Sequence, residues 1–154
     1  YTGKAYGDRG TMPRLTIVRA LLLTAGLASA GMATFHFFLP TVFQWSQFMS
    51  TVPDSIVWGM YAINAFFSLL LLLGSVGTIR VALSPTRDRV VVWGMALFWG
   101  FNVVYQLIWP FPARAVWWAT VAFAVWMVAS YALALWLLNE VPIRSGREPV
   151  SALR

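Results

Sequence analysis

The chain has no cysteine, a single histidine, and no aspartate, glutamate or lysine inside any of its long apolar runs. The first absence excludes disulfides, thiolate metal sites, iron–sulfur clusters and thiol nucleophiles. The second leaves a zinc site without its three or four His, Cys or carboxylate ligands. The third argues against proton-coupled pumps and ion transporters, which place an ionisable group within the membrane. Charge is scarce throughout, at 10% of residues against 60% hydrophobic, which is too apolar for a soluble core and shell.

Four apolar runs are present instead, over 20–39, 56–79, 90–109 and 115–138, each near the ~20 residues that cross a bilayer core. Short connections make consecutive spans antiparallel neighbours. The sequence therefore predicts an all-α, polytopic membrane protein. It is one transmembrane domain of 154 residues, an antiparallel four-transmembrane-helix bundle with polar tails at 1–14 and 140–154.

Ten of the eleven basic residues fall on one side of these runs. Lys4, Arg9, Arg14 and Arg19 precede the first, Arg80, Arg87 and Arg89 separate the second from the third, and Arg144, Arg147 and Arg154 follow the fourth. Only Arg114 lies in a connection on the other side. Basic residues near span ends are retained on the cytoplasmic face, so both termini are expected there (N-in/C-in). The net charge of +6 is thereby explained without nucleic acid, and favours anionic lipid headgroups on that face. Arg14, Arg19 and the run ending in Ala28-Ser29-Ala30 have the outline of a signal peptide. Apolar character continues to Leu39, however, so an uncleaved first span is expected. The termini-in pattern without a targeting extension is that of a bacterial cytoplasmic (inner) membrane protein.

Local signals set the expected boundaries. Asp54 and Ser55 are placed to cap the second span, Thr86 and Asp88 the third. Pro112 suits the first turn of the fourth, and Pro142 ends it. Between the first two spans, Val42, Trp45, Met49 and Val52 recur at helical spacing opposite Thr41, Gln44, Gln47 and Thr51. This pattern suits a short interfacial helix and equally an irregular aromatic loop.

Of the nine tryptophans, Trp45, Trp58, Trp109, Trp117 and Trp118 fall at the outer interface, and Trp93 and Trp136 at the inner, as an aromatic belt does. Trp99 and Trp126 fall near mid-span. Their indole N–H groups need a partner within the bundle, on a neighbouring subunit or on a bound molecule, and both are taken as partner-facing.

Polar residues within the spans are few. His36 shares a face with Ala25, Ser29 and Ala33. Tyr61, Asn64, Ser68 and Ser75 form a stripe on the second span, Asn102 and Gln106 are i,i+4 on the third, and Ala119, Ala122, Trp126 and Ser130 line up on the fourth. By depth, His36, Asn64, Asn102 and Gln106 meet in the outer half of the bilayer. With Tyr61, Tyr105, Asp54 and Arg114 they outline a ligand pocket open to the outer face. The simpler reading is that these groups only bond neighbouring helices, at about 0.6 kcal/mol each. For His36, Asn64 and Asn102 the simpler reading is favoured. A single imidazole also suffices as axial ligand of a haem or chlorophyll-type macrocycle, but no cofactor is required by the sequence. The string from His36 to Pro40, His-Phe-Phe-Leu-Pro, looks like a motif but by itself supplies no mechanism.

Three functions are compatible with this pattern. The first is a non-catalytic accessory or structural subunit of a larger membrane complex, of respiratory or photosynthetic type, with other membrane subunits and lipids as partners. The second is a small membrane protein binding a lipid, quinone or pigment in the outer-leaflet pocket. The third and weakest is a lipid-acting enzyme using His36, Asp54 and Arg114.

Overall fold

The structure, a computed structural model, describes residues 11–84 and 89–140. Lys4, Arg9, Arg87, Arg144, Arg147 and Arg154, the expected cap at Thr86 and Asp88, and the stop at Pro142 lie outside the described residues. Within them the chain is helical and without strands: α1 (Thr11–Val42), α2 (Trp45–Phe48), α3 (Asp54–Leu83), α4 (Val90–Ile108) and α5 (Arg114–Asn139). Helices α1, α3, α4 and α5 correspond to the four predicted spans, and each is long and apolar enough to cross a membrane. The protein is thus an integral membrane protein by length and composition.

The ends differ from those expected. Helix α1 has 32 residues and α3 has 30, or about 48 and 45 Å at 1.5 Å per residue, well beyond the ~30 Å hydrocarbon core. Polar and basic residues such as Arg14, Arg19 and Arg80 extend these helices past the apolar runs. Hydropathy marks where a helix meets lipid and not where its hydrogen bonding stops. The cap of α3 is Pro53, with no side-chain cap bond, and Asp54 is the first helical residue. Asp54 therefore acts as a negative charge in the first turn and not as a capping side chain. Pro112 precedes the N-cap Ala113 of α5 and lies outside the helix. The interfacial helix shrinks to the four residues of α2. Val42 belongs to α1, Gln44 takes a left-handed conformation (φ 50°), and the chain turns again after Phe48.

Helix α1 packs against α3 and α5, α4 against α5 and less extensively against α3. The four long helices thus form a ring in which sequential neighbours touch and α5 closes onto α1. Contacts run in opposite senses along each pair: Gly26 of α1 faces Ser75 and Ile79 of α3, whereas His36 meets Asn64. Close approach depends on missing side chains. A methyl group at Gly26 would stand 2.7 Å from Ile79 Cγ1, and one at Gly74 would collide with Met95 Sδ, as expected where small residues let membrane helices touch.

The two ends of the ring are packed unequally. Towards the end where α1 begins and α5 finishes, Val18, Leu22, Ala25, Ala82, Ala134 and Tyr131 are fully buried. There Arg89 donates to the Leu138 carbonyl at 2.9 Å and to Asn139 Oδ1, and Arg14 pairs with Glu140 at 2.9 Å. Towards the α2 end few residues are fully buried, and the space between α3 and α4 is open. Of the stripe expected on the fourth span, Ala119 and Ala122 are exposed and Trp126 is 43% exposed, whereas Ser130 is buried. The buried face carries Val121, Ala124, Met127, Tyr131 and Ala134. A helix apolar all round gives no amphipathic signal to choose between the two.

Candidate functional site

At one level of the bundle each long helix contributes a polar group. These are His36 from α1, Asn64 from α3, Asn102 and Gln106 from α4, and Thr120 from α5. The α1 member begins with a backbone defect. Pro40 has no N–H, so the carbonyl of His36, four residues earlier, loses its helical donor. Asn64 Nδ2 supplies the missing hydrogen at 2.8 Å. The spacing from His36 to Pro40 therefore has a physical meaning: it frees one carbonyl to tie α1 to α3. Ser68 Oγ donates in turn to the Asn64 carbonyl at 2.7 Å.

The α4–α5 side is a connected network. Gln106 Nε2 donates to Asn102 Oδ1 at 2.8 Å, and Trp117 Nε1 donates to the Gln106 carbonyl at 2.9 Å. The Thr120 hydroxyl lies 2.5 Å from Gln106 Oε1 and 2.8 Å from the Trp117 carbonyl. One hydroxyl proton serves only one of these acceptors at a time.

Beneath this layer runs a chain of rings. The His36 imidazole sits edge-on to Phe67 (4.8 Å between centroids), Phe67 lies 5.6 Å from Phe98, Phe98 5.5 Å from Trp99, and Trp99 5.3 Å from Phe123. Phe123 meets Trp126 at 5.8 Å on the exterior of α5. These separations lie in the 4.5–7 Å range favoured by aromatic pairs.

Two cavities adjoin the layer. The larger, of 540 Å³, lies between α3 and α4 at the α2 end and is lined by His36, Trp45, Asn64, Phe98, Asn102 and Tyr105 among others. The smaller, of 70 Å³, lies inside the ring and is lined by His36, Trp99, Asn102, Gln106, Thr120 and Phe123 among others. His36, Phe67 and Asn102 line both and form the wall between them. Among the described residues, no Asp, Glu, Lys or Arg lines either cavity. Nor do three His, Cys, Asp or Glu residues gather anywhere among them.

The structure brings together four of the six residues expected to bind a ligand: His36, Asn64, Asn102 and Gln106. Tyr61 stands at the margin, 38% exposed and packed edge-on against Trp45 at 5.5 Å. Arg114 opens α5 and Asp54 opens α3. Both are exposed and line neither cavity. Tyr105 lines the larger cavity as expected. Of the two mid-span indoles, Trp126 lies on the exterior, whereas Trp99 is 3% exposed within the ring. Its Nε1–H has no acceptor among the described residues, a condition that costs about 1–3 kcal/mol for a buried donor.

Sequence reasoning did not include Thr120 or Phe98 in the site. It also passed over a second polar cluster nearer the opposite end, where the Tyr131 hydroxyl lies 3.2 Å from Thr78 Oγ1 and beside Ser29. Helices α3 and α5 make no backbone contact, so Tyr131 reaches Thr78 across the ring.

Comparison of the chain with protein-family models, with curated proteins and with solved structures finds no match in any of the three.

Proposed function

We infer that this protein is a small membrane binding protein that holds a membrane-soluble molecule, a lipid, quinone or pigment, in the lateral pocket between α3 and α4. The observation that carries this reading is the 540 Å³ cavity with a polar layer at its inner wall and aromatic sides. Its volume is in the 300–1,000 Å³ range of small-molecule sites, which are mostly apolar with a few placed polar groups. The ten-to-one distribution of basic residues supports cytoplasmic termini, with α2 and Arg114 on the outer face of a bacterial cytoplasmic membrane. In that orientation the pocket faces the outer leaflet.

The reading is tested by purifying the full chain from its native membrane and analysing extracted lipids by mass spectrometry. One species enriched to near-stoichiometry over the bulk membrane is the expected result. Bulk lipid composition alone would count against a binding protein.

A second reading, a non-catalytic accessory subunit of a larger respiratory or photosynthetic membrane complex, draws on the exterior of α5. There Ala115, Ala119 and Ala122 are exposed in line with Trp126, and small residues favour close helix docking in membranes. Crosslinking from position 126 in native membranes tests it. A defined neighbouring subunit supports this role, and lipid adducts alone oppose it.

A further inference from the structure

Three properties of the two cavities restrict their occupant, and the restriction rests on the binding reading above. The first is charge. Every side chain lining the cavities is uncharged or an imidazole, so a phosphate or ammonium head would lose its hydration without a counter-charge. The second is depth. Trp99 lies nine residues from the end of α4 at Ile108, about 14 Å along the helix axis, near the middle of a ~30 Å core. A phospholipid headgroup does not reach Trp99, although Gln106 and Tyr105 bring the cavities to within two or three residues of the end of α4. The third is polarity of a definite sign. An indole nitrogen can only donate, and the buried Nε1–H of Trp99 has no acceptor among the described residues. Trp99 lines the inner chamber, so a group placed there that meets this donor must be an acceptor.

Size divides the molecule between the cavities. The chamber, at 70 Å³, is about half the ~150 Å³ of an apolar cavity that holds benzene, so it admits a carbonyl oxygen with its immediate neighbours. It does not admit a ring. The larger cavity has room for a ring beside the Phe67–Phe98 pair, and its opening between α3 and α4 lets an apolar chain pass to lipid.

We propose that the occupant is a neutral ring bearing a carbonyl oxygen and an apolar tail, the chemistry of a membrane quinone, and that this oxygen accepts the Trp99 Nε1–H. The carbonyl points past the wall formed by His36, Phe67 and Asn102, and the free end of the Asn102 amide stands beside it. The tail leaves sideways and not through the α2 end. Trp99 is then a binding residue, and its unpaired state is the signature of the site.

The test uses the full chain in lipid nanodiscs, titrated with a short-chain benzoquinone carrying ¹³C-labelled carbonyls. The expected result is saturable binding with one carbonyl stretch lowered relative to the same quinone in empty nanodiscs. Trp99→Phe should weaken binding about five- to tenfold, as loss of one hydrogen bond does, and abolish that lowered band. Asn102→Ala provides a second variant should Trp99→Phe not fold, with the same direction expected. Trp126→Phe, on the exterior, should change neither readout. Saturable binding with no carbonyl shift, unchanged in Trp99→Phe and Asn102→Ala, would overturn the proposal while leaving the pocket as a binding site. So would saturable uptake of a phospholipid or of a pigment with a Soret-type band in place of the quinone. Absence of saturable binding by any of these would remove the binding reading as well.

Discussion

Asn64 Nδ2 donates to the carbonyl oxygen of His36 at 2.8 Å, the one carbonyl that Pro40 cannot serve. The bond between α1 and α3 is thus a consequence of a proline placed four residues downstream. Asn64→Leu should lower stability by about 1 kcal/mol, within the range measured for side-chain bonds in membrane bundles. In a Pro40→Ala background the helix regains its own donor, and Asn64→Leu should then cost less than half as much. A double-mutant cycle measured by unfolding in mixed micelles reads the difference directly. Equal costs in both backgrounds would show that Pro40 and Asn64 act independently.

The Tyr131–Thr78 contact is a second cross-ring tie. Tyr131→Phe keeps the ring and removes the hydroxyl, while Thr78 retains its 2.8 Å bond to the Gly74 carbonyl. A loss of about 0.5–1 kcal/mol is expected. Thr78→Val should produce a similar loss, and the two together should cost less than their sum. Additive costs would mean that the hydroxyls do not interact.

Glycines separate into two groups by what surrounds them. A methyl at Gly26 would meet Ile79 Cγ1 at 2.7 Å and the Ser75 carbonyl oxygen at 3.3 Å, whereas Gly94 and Gly100 have open space. Gly26→Ala should destabilise the bundle by about 1–3 kcal/mol through overpacking, first against the Ile79 side chain and then against the α3 backbone. Gly94→Ala and Gly100→Ala should be neutral or slightly stabilising, by up to about 1 kcal/mol from helix propensity. Midpoints of thermal unfolding in one detergent suffice to rank the three.

Topology can be read without a background correction, because the chain contains no cysteine. Single cysteines at Gln44 and Arg114 should react with a membrane-impermeant thiol reagent in intact cells, and one at Arg89 should react only after permeabilisation. Labelling of Arg89 alone would invert the orientation.

His36→Leu discriminates between packing and ligation. The imidazole lies against Phe67 and beside the Asn64 amide, so the substitution should cost about 1–2 kcal/mol. The absorption spectrum of protein purified from native membranes should be unchanged. Loss of a Soret or Qy-type band would assign His36 as the axial ligand of a macrocycle.

Much of this arrangement was legible in the residue order. Span lengths placed the four helices, and counting depth from the ends of antiparallel helices brought His36, Asn64, Asn102 and Gln106 to one level. What depth could not supply was the face. Helix α5 is apolar on all sides, so nothing in its sequence distinguishes the exposed Ala119–Ala122 line from the buried Ala124–Tyr131 line. Tyr131 and Thr78 were missed for the same reason. Asp54 and Arg114 were included because they sit near the right end in sequence, but helix starts carry them outward, away from the cavities. The string ending in Pro40 could be noticed in the sequence. Its meaning required Asn64 to be seen opposite the unserved carbonyl.

The glycine seam between α3 and α4 has a mechanical corollary. These helices meet through Gly74 and Gly77, against Met95 and Val91, and stand apart where the larger cavity opens. They are a pair of blades pivoted towards one end. From Gly74 to Asn64 is ten residues, about 15 Å of lever arm. A tilt of about 5° at the pivot therefore moves the blades by about 1.3 Å at the level of Asn64 and Tyr105. Such a displacement would tighten or loosen the contacts around a flat ring, which needs about 3.5 Å from carbon to carbon on each face, and would not by itself make room for one. How closely α3 and α4 approach is thus set at the seam, away from the residues that line the larger cavity.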